Sequence, residues 1–180
     1  MAQFKAFSDD SQTLGQSLIT WIAASGAFEK RMLQMMKEEG LTEIRPDAWY
    51  PMQAILNTCK KIYDSVGPNT LFLIGKNIPE HAVFPPSINS LGKALGAINT
   101  AYRMNNKGTD IGFYKLQRTG DQSALMVCEN PFPCDFDRGI ISAMTDKFKP
   151  KGCFHKASVT HDKGSCRNKG NKSCTYVISW

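Results

Sequence analysis

Cys166 and Cys174, near the end of a 180-residue chain, bracket a polar loop that carries Arg167, Lys169, Gly170 and Lys172. Thiolate is a zinc ligand, and a closed tetrahedral site needs four donors. Cys134 offers a third sulfur, and like the other two it falls at the end of an expected element. His161, five residues before Cys166, is placed to be the fourth donor; His155, Asp135 and Cys153 are weaker candidates. The competing reading is ordinary: free cysteine is among the most buried residue types, and this spacing is far less specific than paired Cys-x2-Cys.

Other chemistries find little support. There is no glycine-rich phosphate loop after a strand, no His-Glu-x-x-His and no nucleophile elbow. Asp135 and Asp137 flank a helix start, where carboxylates suit the positive end of the dipole, and that accounts for them without a catalytic dyad. With three histidines and no Ser–His–Asp pattern, the sequence argues against an enzyme more than for one.

The elements that must position these side chains can be read from periodicity. Residues 1–15 are polar and expected to be flexible, leaving residues 16–180 as one ligand-binding domain. The apolar segment 18–24 fits strand or helix. Phe28, Met32, Leu33, Met35 and Met36 recur at helical spacing until Gly40. A second helical face runs from Trp49 and Met52 through Leu56 to Val66. A short helix follows Gly67-Pro68-Asn69, and residues 77–86, with three prolines, form a loop. Ile88, Leu91, Leu95, Ile98 and Tyr102 mark another helix, on which Gly92 and Gly96 would allow close approach.

The period then changes. Residues 111–116 and 124–128 read as strands joined at Thr119-Gly120-Asp121, residues 136–148 as a helix, and residues 154–161 as a third strand. In the tail, Cys174, Tyr176, Ile178 and Trp180 share one face of a strand. The class is α+β: amino-terminal helices packed on a carboxy-terminal antiparallel sheet, with one inserted helix.

Bulk properties bound the rest. Hydrophobic residues make up 42% and charged residues 21%, which is globular composition. Between Asp146 and Lys172 eight basic residues face two acidic ones, an excess equal to the whole net charge of +6. A solvated lysine-rich surface explains this better than a nucleic-acid patch, since no recognition helix or aromatic interleaving accompanies it. No apolar run approaches the ~20 residues of a membrane span, and Met1-Ala2-Gln3-Phe4-Lys5 does not open a signal peptide, so a cytoplasmic location is expected. Residues 18–24 and the methionine-rich helix offer apolar surface for a homodimer.

The tail Cys166-Arg167-x-x-Gly170-x-x-x-Cys174-x-Tyr176-x-Ile178-x-Trp180 resembles the carboxy-terminal signature of the 4-vinyl reductase domain family. Residues 130–139 (Asn-Pro-Phe-Pro-Cys-Asp-Phe-Asp-Arg-Gly) are similar to its cysteine-then-helix segment. The order of elements fits the wider superfamily of heme nitric-oxide-binding domains and TRAPP-complex subunits. The resemblance implies a sensor with an apolar pocket between helices and sheet for a small apolar or aromatic ligand. Trp49, Met52, Leu56, Phe72, Phe84, Leu95, Ile98, Tyr102 and Phe113 are the candidate lining, though each also reads as core. A tetrapyrrole vinyl reductase and a dimeric interaction module are the alternatives.

Aromatic-sensing members of that family hold zinc through three cysteines and a glutamate. Cys166 and Cys174 match two of the cysteines and Cys134 the third. Lys163 stands in place of the glutamate, so His161 is the expected substitute. Heme is argued against, because residues 88–102 lack the histidine its relatives use, and the nearest, His81, lies in the preceding loop.

Overall fold

A computed structural model describes residues 3–150 and 157–180. In chain order the elements are β1 (Gln12–Leu14), α1 (Gly15–Ala24), α2 (Glu29–Glu38), β2 (Trp49–Pro51), α3 (Met52–Ser65), α4 (Pro68–Asn77) and α5 (Leu91–Asn105). After these come β3 (Asn106–Lys107), β4 (Phe113–Gly120), β5 (Ser123–Glu129), α6 (Cys134–Phe148), β6 (Ser158–His161) and β7 (Cys174–Ser179). The fold is α+β as expected. Five helices precede a four-stranded antiparallel sheet of order β4-β5-β7-β6, with α6 inserted between β5 and β6.

Local chemistry explains most of these boundaries. Segment 18–24 resolves as the helix α1, whose Leu18, Trp21 and Ala24 are buried at helical spacing. Met52, Ile55, Leu56, Cys59 and Ile62 form the buried stripe of α3. Gly67 at φ 109° turns the chain, and Pro68 then opens α4 at a position where its missing N–H costs nothing. In β7 Cys174, Tyr176 and Ile178 are fully buried while Val177 is exposed, so the alternation read from the tail holds.

The tightest helix crossing is between α4 and α6. A Cβ on Gly75 would lie 2.2 Å from the Phe136 carbonyl oxygen, and one on Gly139 would lie 2.2 Å from that of Phe72. The two backbones therefore touch through reciprocal glycines. This corrects the expectation for Gly92 and Gly96. A Cβ added to either would meet no atom of the described residues within 4 Å, so no backbone approaches there. Spacing of small residues alone does not say which face is covered.

The amino terminus is a second correction. Residues 3–15 are not a loose tail. Gln3 and Phe4 are buried, and Phe4 N–H donates to the Pro131 carbonyl at 2.8 Å. The Gln53 side chain donates to Phe4 O and accepts from Ala6 N–H. Further on, β1 lies between β2 and β3 in a small sheet that the periodicity did not reveal, and Thr13 donates to the Asn106 side chain at 2.6 Å. Polar composition was misleading because the partners that satisfy it are distant in the chain.

The apolar surface that pointed to a homodimer is also accounted for inside this chain. Leu18, Trp21, Met32 and Met36 all belong to its own core. No helix among the described residues is long and apolar enough to cross a membrane.

Candidate metal centre

Cys134 begins α6, Cys174 begins β7, Cys166 precedes a 3-10 turn at Arg167–Lys169, and His161 ends β6. Their ligand atoms all lie within 4.8 Å of one another. Cys134 Sγ is 3.9 Å from Cys166 Sγ and 3.1 Å from Cys174 Sγ. Sulfurs at the corners of a tetrahedron around zinc stand about 3.8 Å apart, given Zn–S bonds of about 2.3 Å. The first separation matches that figure, and the second would widen by roughly 0.7 Å around an ion.

His161 is oriented for the role. Its Nδ1 bonds the Asp162 carbonyl, which can only accept, so Nδ1 carries the proton and Nε2 keeps a free lone pair. That Nε2 is buried and has no hydrogen-bond partner among the described residues. A buried nitrogen left unpaired carries a desolvation cost, and ligation of an ion by Nε2 would remove it. The ring also packs edge-on against Tyr176 at 5.1 Å.

The four donors meet because neighbouring bonds fix each element end. Cys134 N–H donates to the Gln3 side-chain oxygen at 3.1 Å, and Gln3 in turn donates to Asn168 in the turn after Cys166. Cys166 N–H is held by the Asn171 side chain, and Gly170 closes that turn at φ 89°. Behind the sulfurs lies a buried charged cluster. Arg167 and Asp137 are fully buried and bonded to each other, and Asp137 also accepts from Tyr114 and Asn130. Burial pushes the Asp137 carboxyl up, against the pull of Arg167 and these donors. Burial also opposes the charge on Arg167, but the Asp137 carboxylate outweighs it and keeps the guanidinium charged.

Cys134 and Cys174, whose sulfurs lie 3.1 Å apart, are shifted in opposite directions. Cys134 is pushed up by its bond to Cys174 and by burial, while Cys174 is lowered to about 4 by that same bond, aided by Arg167. Cys134, His161 and Cys166 border a surface hollow of ≈ 650 Å³ that is also lined by Asp135, Arg138, Lys163 and Lys169.

Placement of the other expected residues is mixed. Asp135 lines that hollow but pairs with Arg138. His155 and Cys153 lie outside the described residues. Met52, Leu56, Leu95, Ile98 and Tyr102 are buried in the common core. Trp49, Phe72 and Phe84 are only half-buried and carry cations on their rings: Lys107 at 4.2 Å, Arg138 at 4.5 Å and Lys147 at 5.4 Å. Phe113 is half-buried at the start of β4. Five of the nine are thus core residues, and the other four are partly exposed.

Sequence reasoning missed Arg167, Asp137, Asn130 and Gln3 around the sulfurs. Asp137 reads as a helix-start carboxylate, yet it points inward; the one signal in the sequence was Arg167 directly after a candidate ligand cysteine.

No protein-family model matches this chain, and no curated protein matches it significantly. Solved structures do. An H-NOX protein from S. oneidensis in the Fe(II)NO ligation state superposes with a TM-score of 0.68 at 11% identity, covering 92% of this chain and 98% of the other. An oxygen-binding H-NOX domain related to soluble guanylate cyclases gives 0.65 at 17% identity, covering 92% and 93%. A structure concerned with heme redox potential and porphyrin distortion gives 0.63 at 15%, covering 93% and 99%. At these identities the likeness shows the fold.

That finding corrects the case against heme. The same architecture is found in structures that concern heme, so one missing histidine on α5 does not decide the matter. Heme iron is also held by cysteine, methionine or tyrosine in other proteins, and most of a bound porphyrin's surface meets apolar side chains. Between α5 and the large sheet, Tyr102, Tyr114 and Phe132 stack edge to face at 5.2 and 6.2 Å. A large flat ligand there would have to part these rings.

Proposed function

We infer that this chain is a small-molecule sensor or binding domain, one wall of which is braced by a zinc ion held by Cys134, His161, Cys166 and Cys174. The observation that carries the metal is the buried His161 Nε2, unpartnered among the described residues, beside three clustered sulfurs. Three thiolates and an imidazole suit zinc, and four protein ligands would leave no open position for catalysis. The role is therefore structural. The ion would tie the first turn of α6 to the ends of β6 and β7, where the loop between Cys166 and Cys174 has little apolar content of its own.

The sensor part rests on the fold shared with H-NOX structures, together with the resemblance of the tail to the 4-vinyl reductase domain family. The ligand would enter the apolar interior between α3, α5 and the large sheet, lined by Met52, Leu56, Leu95, Ile98 and Tyr102. Native mass spectrometry of the purified protein tests both parts at once. About one zinc per chain is expected, falling toward none in Cys174→Ser together with a lower melting temperature. Wild-type protein that holds no metal, or a Cys174→Ser variant as stable as wild type, would leave ordinary buried thiols. Titration with hemin, followed by absorbance, then asks whether a porphyrin is the ligand. A saturable one-to-one complex would name it, and none would direct the search to smaller aromatic molecules.

A further inference from the structure

Arg167 makes more bonds around the metal centre than packing requires. Its backbone N–H and its Nε–H both donate to Cys174 Sγ, at 3.3 and 3.4 Å. The two remaining arms of the guanidinium reach the Asn130 carbonyl and side-chain oxygens and the Asp137 carboxylate. Asp137 lies one helical turn after Cys134 on α6. Arg167 is itself the residue after Cys166, and its side chain has no exposed surface. One planar group thus joins the three segments that supply the sulfurs.

We propose that Arg167, held in place by Asp137, is the positioning residue of the metal centre: it aims Cys174 Sγ and balances the charge of the thiolates. This rests on the metal reading given above. Two N–H donors on one side of a sulfur leave its remaining lone pairs to point away, toward the other donors. Zinc with three thiolates and a neutral imidazole carries one net negative charge, and a guanidinium in contact with one of those thiolates offsets it. Lysine cannot replace it, because one ammonium cannot reach the sulfur, Asn130 and Asp137 together in a fixed plane.

The test compares Arg167→Lys, Asp137→Asn and Ile55→Ala in the full chain. Ile55 is fully buried on α3, a helix that carries none of the four donors, so its truncation destabilises the protein while leaving them in place. Zinc affinity is read by chelator competition, and thiolate ligation by the sulfur-to-metal charge-transfer band of the cobalt-loaded protein. Arg167→Lys is expected to bind zinc about 10–100-fold more weakly, with a shifted or weakened cobalt band, as when an outer partner of a metal ligand is lost. Asp137→Asn keeps the shape and should move both readouts the same way by a smaller factor. Ile55→Ala should match wild type in both.

Wild-type affinity and an unchanged cobalt spectrum in Arg167→Lys would overturn the proposal while leaving the metal site standing. So would a loss in Ile55→Ala as large as that in Arg167→Lys, which would make the effect one of general stability. If Arg167→Lys does not fold, Asp137→Asn decides, and an unaltered spectrum there overturns it. Wild-type protein that takes up neither zinc nor cobalt sinks the metal reading and this inference together.

Discussion

Helix α6 is held by different physics along its length. In its first turn Cys134 and Asp137 face inward and are surrounded by sulfur, guanidinium, amide and phenol groups. Further along, Gly139 presses against the backbone of α4, and Ile141 and Met144 are buried in the apolar core. The difference lies in how each end fails. Apolar packing loses stability in proportion to the volume removed. A buried polar cluster is close to all-or-none, because deleting one member strands the charge or donor that remains.

The largest break should come from Asp137→Ala. It leaves Arg167 buried without its carboxylate, and loss of about 3–5 kcal/mol in chemical denaturation is expected. Ile141→Ala, on the same helix and equally buried, should cost about 2–5 kcal/mol, while Ile141→Val should cost only about 0.5–1.5. That graded pair is the signature of the apolar half, and neither variant should alter zinc content. If Ile141→Val matched Ile141→Ala, the contrast between the two halves would fail.

Gly139→Ala probes the crossing with α4 from the other direction. Its new methyl would meet the Phe72 carbonyl, and a cost of about 1–3 kcal/mol is expected as the helices are forced apart. A neutral result in thermal unfolding would mean that the two helices separate freely. Gln3→Ala removes the acceptor of Cys134 N–H and the donor to Asn168, so about 1 kcal/mol should be lost, with faster proteolysis near the amino terminus. At the bottom of the scale, Lys60→Ala breaks only an exposed pair with Asp64 on α3 and should leave the unfolding midpoint unchanged within error.

Much of the architecture was legible without coordinates because it is written in local periods. The stripes of α3 and α5, the hairpin of β4 and β5, and the alternation after Cys174 each repeat a pattern whose cause is burial of one face. The four clustered donors were also legible, since each falls where an element starts or stops and its type already names its chemistry. What locality could not reach was the company those donors keep. Asp137 looks like any carboxylate at a helix start until the strand carrying Tyr114 and the turn carrying Arg167 close over it. Gln3 looks like part of a polar tail until the backbone N–H of Cys134, 131 residues away, donates to it. Gly92 and Gly96 have the same spacing logic as any close-packed pair, yet the chain placed Gly75 and Gly139 at the crossing instead. The sequence by itself determined which residues could bind and which faces must be buried. Only the tertiary structure decided which polar groups meet, because their free energy depends on partners that no local period specifies.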